Sequence, residues 1–211
     1  MEPLAVQVLA VYSLVNFTPN QSVAVFGRKP VCLLCMVVAK VLGGARVIAI
    51  DVQKSRLESA KAYFRGGAEV YAYIPVARQG SETSAEYSMR NGTIMRKVLG
   101  IGDQRSKSVD LVVEASRSAE TCIQTSFYVA RTKGYVIQFG IGAFFVTLDL
   151  SMVWLKELVF GGPFRYGHSD YVLAIALASQ VAGEKGLVKI AISGPGVEVD
   201  EIWRDEDGDL I

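Results

Sequence analysis

Val23-Ala24-Val25-Phe26-Gly27-Arg28-Lys29-Pro30-Val31-Cys32 reads as a buried strand, a sharp turn and the start of a helix. The apolar run stops at glycine, and a second apolar run from Val31 to Ala39 follows the proline. A dinucleotide fold uses glycine three times at such a turn: for the tight bend, for close approach of backbone N–H groups to pyrophosphate, and for packing helix on strand. Gly27 fills the first position, while Lys29 stands at the second and Cys32 at the third. The damaged pattern alone leaves the ligand open.

The next strand, Arg46 to Ile50, ends in Asp51, which lies 19 residues beyond Cys32. A carboxylate there can accept hydrogen bonds from both ribose hydroxyls and repels a 2′-phosphate, which favours NAD over NADP. Two other readings stay open at this point. Asp51 could be a surface acid capping the helix ahead of Ser55, and an S-adenosylmethionine methyltransferase also carries an acid after its second strand.

Further apolar runs at Val109 to Val113 and Tyr135 to Phe139, with weaker ones at Glu69 to Tyr73 and Glu157 to Phe160, continue the strand series. Segments of helical period fall between and after them: Pro30 to Leu42, Ser55 to Phe64, Ala119 to Thr132 and Tyr171 to Val181. Repeated βα units of this kind predict an α/β fold, a doubly wound and mostly parallel Rossmann-type sheet with helices on both faces. The polar stretch 76–107, with a helix over Ser84 to Leu99, reads as a surface insertion. The last 15 residues hold seven acids and one arginine, the composition of a solvated tail.

At 211 residues, 51% hydrophobic and 20% charged, the chain suits one well-buried domain. A formal charge of +1 carries no footprint for nucleic acid or an anionic membrane. The apolar run at Val31 to Ala39 is about half of the roughly 20 residues that span a bilayer. Met1-Glu2-Pro3 lacks a basic n-region, so a cytoplasmic protein is expected. Three cysteines do not make a disulfide framework. Cys32 and Cys35 share a Cys-x-x-Cys spacing, but on a predicted helix with no second pair they read as buried thiols.

Longer runs carry a family likeness. Val25-Phe26-Gly27, Pro30, Leu33-Leu34-Cys35-Met36, Ala39-Lys40, Arg46 to Gln53 and Arg56-Leu57 resemble the sorbitol/xylitol (polyol) dehydrogenase branch of the zinc-containing medium-chain dehydrogenase/reductase superfamily. Lys107 to Val112, Cys122 to Thr125, Lys156 to Leu158, Phe164 to Gly167, Lys185 to Lys189 and Ile192 to Pro195 continue it. The resemblance implies oxidation of a polyol secondary alcohol to a ketose by hydride transfer to NAD. It places Gly27, Pro30 and Val31 at the pyrophosphate turn, Asp51 and Arg56 around the adenosine ribose, and Phe139, Gly140 and Ile141 beside the nicotinamide. Arg165 and Tyr166 match a Phe-Arg-Tyr motif facing polyol and cofactor, and Glu2 matches an acid near the catalytic zinc.

The chain also departs from that family. The resemblance leaves the GroES-like domain that carries the zinc ligands without an expected counterpart here, and the single histidine, His168, stands on a predicted turn where the family usually has none. No intact catalytic residue and no metal site are expected. A strand and helix that relatives place before Gly186 are missing, and Arg117 takes the place of a glycine near the cofactor. If Lys29, Cys32 and Arg117 crowd the cleft, NAD binding is weak or lost. The expected organisation is a linker helix at 1–20 from the missing domain, a Rossmann-like body at 21–195 and an acidic tail at 196–211. The expected function is that of a truncated, catalytically impaired polyol dehydrogenase-like protein able to form a homo-oligomer, with a non-enzymatic interaction or remnant protein as the alternative. A short-chain dehydrogenase is disfavoured, because no Tyr-x-x-x-Lys occurs.

Overall fold

The computed structural model describes residues 2–27, 30–55, 57–58, 70–116, 119–140 and 145–182. Six strands form one sheet: β1 (Ser22–Phe26), β2 (Arg46–Ile50), β3 (Val70–Tyr73), β4 (Leu111–Glu114), β5 (Tyr135–Gln138) and β6 (Val159–Gly161). Their order is β3-β2-β1-β4-β5-β6, and every pairing is parallel. The order reverses direction beside β1, which opens a crevice at the carboxyl ends of β1 and β4. The Rossmann-type sheet read from the sequence is the observed fold, and both weak strand candidates are strands.

Alternation along the strands divides the core in two. Val23, Val25, Val47, Ala49, Leu111, Val113 and Ile137 face one way, under α1 (Glu2–Val8), α2 (Pro30–Val41) and the helix that closes the described chain, His168–Ala182. Ala24, Phe26, Ile48, Ile50, Val112 and Val136 face the other way, under α3 (Ser84–Val98) and α4 (Ala119–Val129). A short helix α5 (Ser151–Leu155) precedes β6, and the closing helix is α6. A π-helical turn, Leu9–Ser13, extends α1.

Nearly every residue of β1 and β2 is buried, which explains why these strands read as continuous apolar runs instead of alternating ones. Residues 76–107, read from sequence as a surface insertion, carry α3, which spans the crossover from β3 to β4 and buries Ser88, Asn91 and Met95. A capping box starts that helix: Glu86 N–H donates to Thr83 Oγ1 at 3.2 Å, and Thr83 N–H donates to Glu86 Oε2 at 2.9 Å. The expected helix at Ser55 to Phe64 falls mostly outside the described residues, as do Lys185 to Pro195 and the acidic tail. His168 begins α6 and is exposed, so it opens a helix instead of sitting in the turn.

Candidate functional site

The site lies where β1, β2, β4 and β5 end. Gly27 leaves β1 with φ +94°, a left-handed conformation that favours glycine. Its N–H donates to Ile50 O at 2.7 Å, tying the turn to the end of β2. A Cβ added at Gly27 would lie 3.2 Å from both Ala115 O and Cys32 Sγ. The thiol of Cys32, fully buried, lies 3.8 Å from Phe26 O and from Ala115 O. It therefore fills the space beneath the turn where a third glycine would let the helix approach, and it does not project into the cleft. That corrects the expectation that Cys32 crowds the cofactor.

Asp51 follows β2 directly and is 7% exposed. Its Oδ1 accepts from Gln53 N–H at 2.9 Å, which fixes the side chain in an Asx turn. A carboxylate offers about four lone-pair directions, so acceptor capacity remains for ribose hydroxyls. Val31, in the first turn of α2, packs against the first core. Pro30 begins the same helix, and Glu2 begins α1. Arg56, Ile141, Lys29 and Arg117 lie outside the described residues.

The far wall is built on Glu114, the last residue of β4. It is paired in register with Phe26 of β1 and Gln138 of β5. Phe139 N–H and Gly140 N–H both donate to the Glu114 carbonyl, at 2.6 and 2.9 Å, which bends the β5 exit back across β4. Glu114 is fully buried. Its Oε1 accepts from the Ser116 N–H at 2.8 Å and from the Ser116 hydroxyl, while Oε2 has no hydrogen-bond partner. Burial pushes this carboxyl above its ordinary value, against the opposing effect of Ser116 and the Gln138 amide. The thiol of Cys122 on α4 is close by; burial raises it to about 11, so it stays protonated at neutral pH. The sequence reading did not single out Glu114 as a site residue. The available signal was an acid ending the otherwise apolar strand Leu-Val-Val-Glu.

A test of this wall follows from the direction of the shift. The folded protein holds the Glu114 proton more tightly than the unfolded chain does, so its contribution weakens stability as pH rises from the ordinary carboxyl range through the raised value. Glu114→Gln removes the charge, keeps an acceptor for Ser116 and places a donor beside Gln138, whose Oε1 is buried without a partner. Thermal unfolding should show a higher midpoint for Glu114→Gln at pH 8 and no gain at pH 4. A gain of equal size at both pH values would mean that the carboxyl is not held neutral by burial.

Arg165 and Tyr166 lie on the loop leaving β6. Arg165 has φ +59°, is exposed, and its guanidinium lies over the Phe164 ring at 5.6 Å. Tyr166 stacks on Tyr171 at 6.0 Å and packs against the core under α6. Among the described residues no group of three His, Cys, Asp or Glu side chains could hold a metal. Cys32 and Cys35 are buried within α2, and burial, with Cys32 as a second cause, pushes the Cys35 thiol well above its ordinary value. The described residues thus fit the turn and ribose side of a dinucleotide, and they do not fit a zinc centre.

Comparison with known proteins gives this geometry a lineage. The zinc-binding dehydrogenase family model matches residues 30–180. This chain belongs to the zinc-binding dehydrogenase family. It is 39% identical over 196 residues to the probable D-xylulose reductase A of Neosartorya fischeri, covering 92% of this chain and 48% of that protein. The chain therefore spans about half the length of the curated relatives it matches. In fold it is similar to L-idonate 5-dehydrogenase of Escherichia coli K-12, with TM-score 0.61 and 23% identity over 85% of this chain and 44% of that one. It is also similar to an alcohol dehydrogenase of Escherichia coli CFT073 in complex with NADH, with TM-score 0.64 and 20% identity over 85% of this chain and 46% of that one. No helix among the described residues is long and apolar enough to cross a membrane.

Proposed function

We propose that this chain is the dinucleotide-binding half of a polyol dehydrogenase of the xylitol/sorbitol type, binding NAD weakly and without zinc-assisted turnover of its own. The observation that carries the proposal is the Gly27 turn, bonded to the end of β2 beside a buried Asp51. Asp51 and Arg56 would hold the adenosine ribose, Pro30 and Val31 would border the pyrophosphate, and Phe139, Gly140 and Ile141 would flank the nicotinamide. Arg165 and Tyr166 leave the carboxyl end of β6, on the same side of the sheet, where a polyol would approach. Residues 1–20 would be the connecting helix and residues 21–195 the binding body.

Impairment rests on residue types. Lys29 stands at the second glycine position of the dinucleotide turn, and Arg117 where the family resemblance commonly puts glycine. Losing two charge-assisted pyrophosphate bonds, at roughly 1.5–3 kcal/mol each, lowers affinity by about a hundredfold or more. When bound, zinc polarises the substrate hydroxyl in this chemistry. With one histidine and three cysteines, two of these buried in α2, the chain offers it no ligand set among the described residues.

We place the protein in the cytoplasm, in keeping with buried, reduced thiols, and assign it a homo-oligomeric state through the β6 edge, where Val159 and Phe160 are exposed. Xylitol or sorbitol with NAD and zinc should give no NADH above background at high protein concentration, and size-exclusion chromatography of the same sample should show a species larger than one chain. Turnover would establish an active oxidoreductase and refute the impairment. A clean monomer would remove the assigned assembly.

A further inference from the structure

At the opposite end of the sheet from the crevice, the amino ends of β1 and β2 meet the end of α3 and the loop after it. They border an open cavity of about 560 Å³, with Ser22, Arg46, Tyr71, Arg105, Ser106 and Lys107 on its walls. Three of these side chains are cations, and among the described residues no acid lines the cavity. None of the three cations joins an ion pair among the described residues. The described acids nearest in sequence already have partners. Asp103 pairs with Arg96 at 2.8 Å, and Asp110 accepts from Arg131 Nε at 2.6 Å and from Ser22 N–H at 2.8 Å.

Arg46 is held in place. Its Nη2 donates to Leu99 O, and its guanidinium lies 4.2 Å above the Tyr71 ring. Its Nε is buried and has no acceptor. A guanidinium lining a cavity with no described acid on its walls is best matched by an anionic oxygen. Arg105 and Lys107 are exposed on a loop closed by Gly102 N–H to Lys107 O at 3.0 Å and by Lys107 N–H to Gln104 O at 2.9 Å. One anchored guanidinium and two exposed cations around hydroxyl groups make a phosphate-binding arrangement. The volume is within the range of small-molecule sites, roughly 300–1,000 Å³, and leaves room for more than an inorganic ion.

We propose that this cavity binds the phosphate group of a small phosphorylated polyhydroxy compound. Arg46 and the Arg105–Lys107 pair take the phosphate, while Ser22, Ser106 and the face of Tyr71 border the organic body. The site is separate from the dinucleotide crevice, so it stands or falls independently of the function proposed above.

The test is an amide NMR titration of the whole chain with glucose 6-phosphate, glucose and inorganic phosphate, at about 0.15 M salt, where the Debye length is about 8 Å. Saturable shifts at Ser22, Gly100, Gly102 and Lys107 are expected for glucose 6-phosphate, with a dissociation constant on the order of 1 mM. Glucose should bind at least about tenfold more weakly. Inorganic phosphate should shift the same amides, less tightly. The double variant Arg105→Ala/Lys107→Ala, at two exposed positions, should keep its unfolding midpoint and lose about tenfold in affinity. No saturable shift, shifts confined to Gly27 and Asp51, or equal binding by the double variant would each overturn the proposal.

Discussion

Gly140→Ala is expected to lower stability by about 2–3 kcal/mol, equivalent to a drop of roughly 4–12 °C in midpoint for a chain of this size. A Cβ at this position would overlap the Ser116 carbonyl oxygen and approach Glu114 Oε2 to 3.0 Å. The first obstacle is backbone, which cannot swing aside as a flexible side chain can. Gly140 is also fixed from its other end, because its N–H donates to Glu114 O and its carbonyl accepts from Gln138 Nε2 at 2.7 Å. Relief therefore requires parting β4 from β5 at their carboxyl ends. Gly80→Ala is the control, since a Cβ there meets nothing within 4 Å and φ is not positive. Chemical denaturation of the two variants should separate them clearly; equal midpoints would show that the β5 exit does not lie against Ser116.

The second large effect falls on Asp51. Asp51→Asn keeps an oxygen to accept from Gln53 N–H, so the turn after β2 should hold and the unfolding midpoint should stay near that of the parent. What changes is the ribose contact. Two charge-assisted hydrogen bonds become neutral ones, a difference of about 1 kcal/mol or more each, which weakens NADH by roughly 30-fold or more. The carboxylate also repels a 2′-phosphate, so the preference for NADH over NADPH should shrink in the same variant. Isothermal titration with both dinucleotides measures the two effects together. An unchanged NADH affinity would mean that the carboxylate is a surface acid and no more.

Much of this architecture was legible in the residues. Strands buried on both faces show as unbroken Val- and Ile-rich runs, and Gly27 and Asp51 mark the ends of β1 and β2 by breaking them. Weak runs at β3 and β6 were readable because a sheet edge needs only three or four residues, here Val70–Tyr73 and Val159–Gly161. The wall around Glu114 was harder to see. Its chemistry depends on strand register, which places Phe26, Glu114 and Gln138 side by side although they are far apart in sequence. The direction of Cys32 was equally hidden, because the same substitution can block a cleft or fill a core, and only the packing of α2 on β1 decides between them. Residues 76–107 read as a surface insertion for a related reason. A polar composition describes the outer face of α3, whereas its burial comes from a few spaced positions: Ser88 donates to Thr121 O on α4, Asn91 accepts from the Tyr73 hydroxyl on β3, and Met95 joins the core.

The decisive measurement is a fluorescence titration of the whole chain with NADH, following energy transfer from Trp154 and the other aromatics, alongside S-adenosylhomocysteine and the Asp51→Asn variant. A crevice built on Gly27 and Asp51 requires saturable NADH binding with a dissociation constant on the order of 1 mM, loss of that binding in Asp51→Asn, and no response to S-adenosylhomocysteine. Saturation by S-adenosylhomocysteine, no saturation by NADH, or an NADH curve indifferent to Asp51→Asn would contradict a dinucleotide site at the ends of β1 and β2.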